Sequence, residues 1–156
     1  MVATWHFIGT IQSNKIKELV RIAQVIHSVD SAQHVEKMNS LAAGIEKVMT
    51  LLIQVNLDPD FPNNRGGIRP HEIEKLAQHI EALANVRLAG LMFIASPLLD
   101  TQRAFEGFSE ALKAFQASHS NASLVSAGMS ADIEEAIAIG ATHLRIGSKL
   151  LGNRPL

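Results

Sequence analysis

Hydrophobic residues along the chain fall into short continuous runs that alternate with stretches of helical spacing. The runs at residues 5–8, 50–55 and 88–94 predict strands, because an unbroken apolar run suits a strand that is buried on both faces. Apolar residues spaced three and four apart predict amphipathic helices at residues 16–26, 35–45, 73–83 and 105–115. Residues 26–29 fit either the end of the first helix or a short strand of their own.

Polar residues and a proline mark the starts of three helices. Ser13 is placed to cap the first helix, Asp30 and Ser31 offer a start for the second, and Pro70 is typical of a first helical turn. A polar loop at residues 56–69 separates the third strand from the third helix. Loops of this length are often functional.

The stretch at residues 123–132, continued at residues 144–148, is a candidate binding site. Its pattern predicts a strand, a Gly-Met-Ser turn, a helix that begins at Ala131, a second strand and a Gly-Ser turn. Backbone N–H groups, hydroxyls and a helix N-terminus at the carboxyl ends of strands attract phosphate. The competing interpretation is that both turns are plain connections.

Together these patterns predict about six strand–helix units in a single domain at residues 1–156. Strands that alternate with helices form a parallel sheet with crossover helices, so the fold class is α/β. A complete (β/α)8 barrel needs eight units and roughly 200–250 residues. Six units therefore fit an open doubly wound sheet or a partial barrel, and composition does not decide between the two.

Composition narrows the classes of function. Hydrophobic residues make up 47% of the chain. Its net charge is −1 and it has no run of basic residues, so its charge does not indicate binding to nucleic acid or to an anionic membrane. Cysteine is absent, which excludes disulfides and thiol chemistry, and the seven histidines show no metal spacing. No apolar run reaches the roughly 20 residues of a membrane span, so we expect a cytoplasmic protein without a metal.

Seven short motifs follow one another along the chain. They are WHFIGTIQSNK at residues 5–15, LIQVN at 52–56, GI at 67–68, LAGLM at 88–92, SAGMSAD at 126–132, RIGS at 145–148 and LGNR at 151–154. In sequence and order they resemble the motifs of the pyridoxal phosphate homeostasis proteins, single-domain relatives of the alanine racemase barrel. The resemblance implies a partial TIM-type (β/α)8 barrel of the alanine racemase N-terminal type. It also implies a non-catalytic carrier that binds pyridoxal 5′-phosphate (PLP).

In the resembled family, a lysine on the first strand forms a Schiff base with PLP, and that strand precedes the WHFIG strand. Only four residues precede Trp5 here. We therefore expect the first two strands and the cofactor lysine to be missing from this sequence, which puts covalent attachment in doubt. Lys15 and Lys149, the nearest candidates, are not expected to replace it. A separate N-terminal fragment or self-association would cover the strand edges left exposed.

The resemblance also implies which residues bind the cofactor. The implied phosphate-binding residues are Ser126, Gly128, Ser130, Gly147 and Ser148. Arg145 resembles the arginine that approaches the pyridine nitrogen, and Asn56 and Met92 are implied contacts of the ring. An arginine keeps its proton, which leaves the ring a poor electron sink, so no residue is expected to be catalytic.

Each assignment has a structural alternative. Arg145 also suits a buried ion pair, Ser130 a helix cap and Met92 the hydrophobic core. The alternative functions are an amino-acid racemase and a fragment that binds only the phosphate. Racemisation needs the lysine and a second acid–base group such as tyrosine, and the chain contains no tyrosine. The expected partners are PLP and PLP-dependent apo-enzymes.

Overall fold

The computed structural model describes residues 3–60 and 65–152. Within these residues, five parallel strands form one sheet whose spatial order follows the sequence order. The strands are β1 (His6–Phe7), β2 (Val25–Val29), β3 (Met49–Val55), β4 (Val86–Phe93) and β5 (Leu124–Ser126). A doubly wound sheet reverses its strand order, whereas a (β/α) barrel keeps it. The order therefore confirms the partial barrel.

Four helices connect successive strands, and two more follow β5. They are α1 (Ile16–Ile22), α2 (Ala32–Ala43), α3 (Ile73–Glu81), α4 (Thr101–Ser118), α5 (Ile133–Ala138) and α6 (Ser148–Leu151), and a 3-10 turn (Pro70–Glu72) precedes α3. Pro70 opens that turn as the sequence predicts. Within residues 3–60 and 65–152, none of these helices is both long enough and apolar enough to cross a membrane.

The sheet is covered on both faces, as its unbroken apolar strands predict. Leu51 and Ile53 of β3 belong to the main core, together with apolar residues of the helices. Leu52, which lies between them, joins Val25 and Met92 in a smaller cluster on the inner face. Alternate residues of one strand therefore face two apolar layers.

The sheet curls, so its two edges approach each other. β1 and β5 lie at opposite ends of the strand order. Nevertheless, the ring of His6 on β1 lies 5.5 Å from the ring of His143, which follows β5 in the chain. The inner face of the sheet therefore encloses a space rather than a flat surface.

Gly90 marks the closest approach of β4 and β5. Its φ angle is +156°, and a Cβ atom at this position would collide with the backbone carbonyl of Leu124. Backbone cannot move aside as a flexible side chain can. The contact therefore explains why glycine stands in the middle of the LAGLM motif.

Two predicted details of the first helices are corrected, and one open alternative is decided. Ser13 does not cap α1, because its hydroxyl lies 3.0 Å from Nε2 of His34, and Lys15 occupies the capping position without a side-chain bond. Residues 26–29 belong to β2, which settles the two interpretations of that segment. Helix α2 ends at Ala43, so Ile45 lies beyond it and is 50% exposed.

The region after β5 also differs from the prediction. The strand expected at residues 144–146 is reduced to one bridge between Ser126 and His143. The side chain of Thr142 accepts from the Val125 N–H and so replaces part of the strand ladder. The helix expected from Ala131 begins at Ile133, because the carboxylate of Asp132 accepts from the Met129 N–H, 2.5 Å away, and holds a turn there.

Candidate functional site

Arg145 joins the carboxyl ends of β4 and β5. Its Nη1 donates to the hydroxyl of Ser126 at 2.9 Å, and its Nη2 donates to the carbonyl of Phe93 at 2.8 Å. The backbone N–H of Arg145 donates to the carbonyl of Gly128 at 2.9 Å. The guanidinium is therefore fixed at the edge of the sheet where ligands of parallel α/β proteins bind.

The neighbours of Arg145 show whether its guanidinium forms the buried ion pair that the sequence left open as an alternative. Among the described residues, its guanidinium donates to a hydroxyl and a carbonyl, and neither acceptor is a carboxylate. Burial lowers the pKa of Arg145, while the charge of Asp132 raises it. A guanidinium keeps its proton under such conditions. Arg145 is thus a half-buried cation held by neutral acceptors.

The turn after β5 requires glycine at position 128. Gly128 has a φ angle of +90°, and a Cβ atom there would lie 2.6 Å from Cβ of Ala136 and 2.8 Å from Cδ2 of Leu144. The turn is therefore packed tightly against α5. Asp132 accepts from the Met129 N–H, so that amide is already bonded. Helix α5 has six residues, so its dipole adds less to an anion site than the sequence predicts.

The two predicted phosphate-binding turns lie side by side. The backbone N–H of Lys149 lies 3.4 Å from the hydroxyl of Ser130, which connects the Gly128 turn to the start of α6. Gly147 is exposed, and nothing lies within 4 Å of where its Cβ would be. The side chain of Ser148 lies outside what the structure describes. The proximity of the turns is what a shared phosphate site requires.

The implied ring contacts have structural partners in this fold. The side chain of Asn56 is buried, donates to the Gly66 carbonyl and accepts from the Asp58 N–H, each at 2.9 Å. Met92 is fully buried in the inner cluster and is paired in register with Ser126. Asn56 therefore shapes the loop after β3, and Met92 fills the core. Their contact with a cofactor stays a prediction.

The structure adds two residues that the sequence did not suggest. His27 on β2 and His143 line a cavity of about 460 Å³ together with His6, Arg145 and Gly147. No local pattern links these histidines, because they belong to segments that are distant in the chain. Only the curl of the sheet brings them together. Among the described residues, no group of three or more His, Asp or Glu side chains is arranged to hold a metal ion.

Neither of the two lysines considered as replacements lines this cavity. Lys15 is exposed at the start of α1, and its Nζ lies 3.7 Å from a carboxylate oxygen of Glu18. Lys149 is exposed on α6. Neither side chain is among the described residues that line the cavity.

Comparison with known proteins identifies the family. The family model of the alanine racemase N-terminal domain matches residues 1–155. The chain belongs to this family. Membership agrees with the sequential parallel sheet and confirms the fold predicted from the motifs.

Within the family, the chain is similar to proteins named pyridoxal phosphate homeostasis protein. The relative from Synechocystis is 37% identical over 154 residues, which cover 96% of this chain and 70% of the relative. The relative from Pseudomonas aeruginosa is 33% identical over 150 residues, which cover 96% of this chain and 64% of the relative. The chain thus spans less than two thirds of the Pseudomonas protein. These matches confirm the resemblance seen in the motifs.

A solved structure shows the same similarity. PipY from Synechococcus elongatus, determined with PLP bound, matches with a TM-score of 0.84 at 32% identity. The match covers 96% of this chain and 70% of PipY. The family's fold is therefore present across almost the whole chain.

Proposed function

We propose that this chain binds PLP at the carboxyl ends of β4 and β5 and acts in PLP homeostasis as a cytoplasmic carrier. The fixed cation Arg145, beside the turn of Gly128 and Ser130, is the observation that carries the proposal. The names of the relatives and the PLP bound to PipY support it. PLP-dependent apo-enzymes are the proposed recipients of the cofactor.

PLP has three polar groups: the phosphate, the pyridine nitrogen and the aldehyde. The residues present fit the first two. The hydroxyl of Ser130 and the turn at Gly147 and Ser148 offer donors to a phosphate dianion, and Gly147 leaves open space. Arg145 offers a cation to the pyridine nitrogen. When bound, PLP supplies an electron-withdrawing ring and a reactive aldehyde. The described residues that line the cavity beside Arg145 include no lysine for that aldehyde.

The same residues favour a carrier over a racemase. A donor-only guanidinium beside the pyridine nitrogen leaves that nitrogen unprotonated, so the ring withdraws electrons weakly. Racemisation also needs acid–base groups on both faces of the ring, and the chain has no tyrosine. We therefore propose binding without catalysis.

We further propose that the anchoring lysine comes from outside this sequence. The relatives are longer than this chain. Strand β1 lies at an edge of the described sheet, and Trp5 beside it is 67% exposed. Edge strands recruit additional strands. A separate N-terminal segment, or self-association, would cover this edge.

The test is a PLP titration followed by absorbance and equilibrium dialysis, and then by borohydride reduction and mass spectrometry to detect attachment to a lysine. Replacing Ser130→Ala together with Ser148→Ala removes two hydroxyls offered to the phosphate. We expect the affinity to fall about a hundredfold or more, since two hydrogen bonds to a charged group, worth about 1.5–3 kcal/mol each, are lost.

A matched pair, Ser118→Ala with Ser123→Ala, removes two exposed hydroxyls on the surface. This control should bind PLP as the unmodified chain does. Equal affinity of all three proteins would refute the phosphate site. Absence of PLP binding by the chain, both alone and with the N-terminal third of a relative added, would refute the proposed function.

A further inference from the structure

Three histidines from three segments of the chain meet on the inner face of the sheet. Nδ1 of His6 on β1 lies 2.8 Å from Nε2 of His27 on β2. The ring of His143, after β5, lies 5.5 Å from the ring of His6 and 5.8 Å from that of His27. We refer to His6, His27 and His143 as the histidine cluster. It closes the gap between the two edges of the curled sheet.

The cavity beside the histidine cluster has one cationic side chain, Arg145, and no described carboxylate in its lining. Arg145 lines it together with the cluster, and the remaining described lining residues are apolar or glycine. The charge of the Asp132 carboxylate raises the pKa of Arg145, and this carboxylate also accepts from the Met129 N–H. No described Asp or Glu lines the cavity. An anion that entered the cavity would therefore meet the guanidinium of Arg145 and no described carboxylate in the lining.

His27 has an unfilled hydrogen-bonding position. It is 2% exposed, and its buried Nδ1 has no partner among the described residues. Burial, followed by the charges of His6, His143 and Arg145, lowers the pKa of His27 to about 4. Burial and His143 also lower the pKa of His6. An anion in the cavity would reverse these effects, because it stabilises the protonated imidazoles.

We propose that this cavity binds a small anion, either a carboxylate or a phosphoryl group, and that the histidine cluster takes up a proton as the anion binds. The cavity shares Arg145 and Gly147 with the proposed cofactor site, so the inference rests on that site and deepens the proposed function, although its test uses no PLP. Proton uptake couples affinity to pH. Affinity should rise as the pH falls, by up to about tenfold per unit for one proton.

The test is isothermal titration calorimetry of the chain with sulfate and with acetate between about pH 6 and pH 8. Sulfate represents a phosphoryl group and does not titrate in this range, and acetate represents a carboxylate. Repeating each titration in two buffers of different ionisation enthalpy gives the number of protons taken up. We expect one of the two anions to bind with uptake of up to one proton and with higher affinity at the lower pH.

Substitutions in the histidine cluster test whether its residues take up the proton. His27→Gln should abolish the proton uptake. His143→Gln should reduce it and serves as the second test if His27→Gln does not fold, because His143 is only half-buried. His71→Gln, an exposed histidine on the 3-10 turn, is the matched control and should behave as the unmodified chain does.

Three outcomes overturn the inference: binding without proton uptake, uptake that persists in both cluster variants, and no binding of either anion. The doubly substituted Ser130→Ala, Ser148→Ala chain separates this site from the proposed phosphate turns. Proton-coupled binding of whichever anion binds the unmodified chain should survive in that variant, and its loss would also overturn the inference. Because the probes contain no PLP, a negative result here leaves the PLP titration to decide the proposed function separately.

Discussion

The guanidinium of Arg145 donates to the fully buried hydroxyl of Ser126, 2.9 Å away, and so connects the segment after β5 to the end of β5 itself. The second donor, Nη2, reaches the carbonyl of Phe93 at the end of β4. One side chain therefore holds together three neighbouring parts of the proposed cofactor site. Removing it would leave a buried hydroxyl and a buried carbonyl without their donor.

Arg145→Gln tests this relationship. The shorter amide does not carry a positive charge to the pyridine nitrogen, so the absorbance spectrum of PLP added to the chain should change. We also expect the free energy of unfolding to fall by about 1–3 kcal/mol, because buried acceptors lose their partner. The two measurements are the PLP spectrum and the urea unfolding midpoint.

Arg87→Gln is the matched control, since Arg87 is exposed and its guanidinium donates to Thr50 on the surface. It should leave both the spectrum and the midpoint close to those of the unmodified chain. An unaltered PLP spectrum in Arg145→Gln would remove Arg145 from the site, whatever the change in stability.

Gly90→Ala should be strongly destabilising. The new methyl group would collide with the Leu124 carbonyl, and relieving that collision requires β4 and β5 to separate. Overpacking of this kind costs about 1–3 kcal/mol, and we expect the upper end because the obstacle is backbone. The measurement is the unfolding free energy in urea.

Gly140→Ala separates the collision from backbone strain. Gly140 also has a positive φ angle, +82°, but nothing lies within 4 Å of where its Cβ would be. Strain alone should cost about 1–2 kcal/mol. If Gly90→Ala is no more destabilising than Gly140→Ala, the close approach of β4 and β5 is not a constraint.

The strands and helices could be predicted because their signals are local. Apolar residues fill β3 without a break, and this pattern alone identifies a strand that is covered on both sides. Helix α4 shows its apolar positions at regular helical spacing and has Asp100 at its cap, where the carboxylate accepts from the Arg103 N–H. Such elements depend little on the rest of the chain.

Several side-chain contacts, in the candidate site and elsewhere, could not be predicted, because they depend on how the chain folds in three dimensions. The hydroxyl of Ser13 is suited to cap a helix, yet it lies within hydrogen-bond distance of His34, 21 residues later in the chain. Asp132 was expected inside a helix, but its carboxylate instead holds the Met129 N–H. The meeting of His6 and His143 needs the whole sheet in place. Tertiary contacts outweigh local propensity in each case.

Lys47 stabilises the end of α1, and Lys47→Met should show it. Its Nζ donates to the carbonyls of Val20, at 2.7 Å, and Ala23, at 2.6 Å. These carbonyls belong to the last turn of α1 and the residue that follows it, where a cation is favourable. Methionine keeps the apolar stem and removes both bonds.

We expect Lys47→Met to lower the free energy of unfolding by about 1–3 kcal/mol, as the loss of hydrogen bonds to a charged group does. Lys75→Met, at an exposed position on α3, is the matched control and should change it by no more than about 0.5 kcal/mol. Equal midpoints for the two variants in urea would contradict a role for Lys47 at the end of α1.

His119 connects α4 to α3 and gives the fold a pH dependence. Its Nδ1 lies 3.0 Å from a carboxylate oxygen of Glu81, and its Nε2 lies 3.1 Å from one of Glu74. Burial opposes the charge of the imidazole, but the two carboxylates outweigh it, so the pKa of His119 is raised above its ordinary value of 6.5. The hydrogen bond from His119, followed by that from Gln78, lowers the pKa of Glu74 below 4.5.

The signs of these shifts define the pH window. The contribution of His119 is complete below pH 6.5 and is lost as the pH rises through the raised pKa, whereas that of Glu74 is present above pH 4.5 and is lost on acidification. Above pH 6.5, the unfolding free energy should therefore fall more steeply in the unmodified chain than in His119→Gln. The measurement is the difference between their urea midpoints across this range, with His71→Gln as the control for loss of an exposed histidine. Because the histidine cluster is intact in all three proteins, its own titration cancels in that difference. Parallel curves for the unmodified chain and His119→Gln would show that His119 does not hold a proton between the two carboxylates.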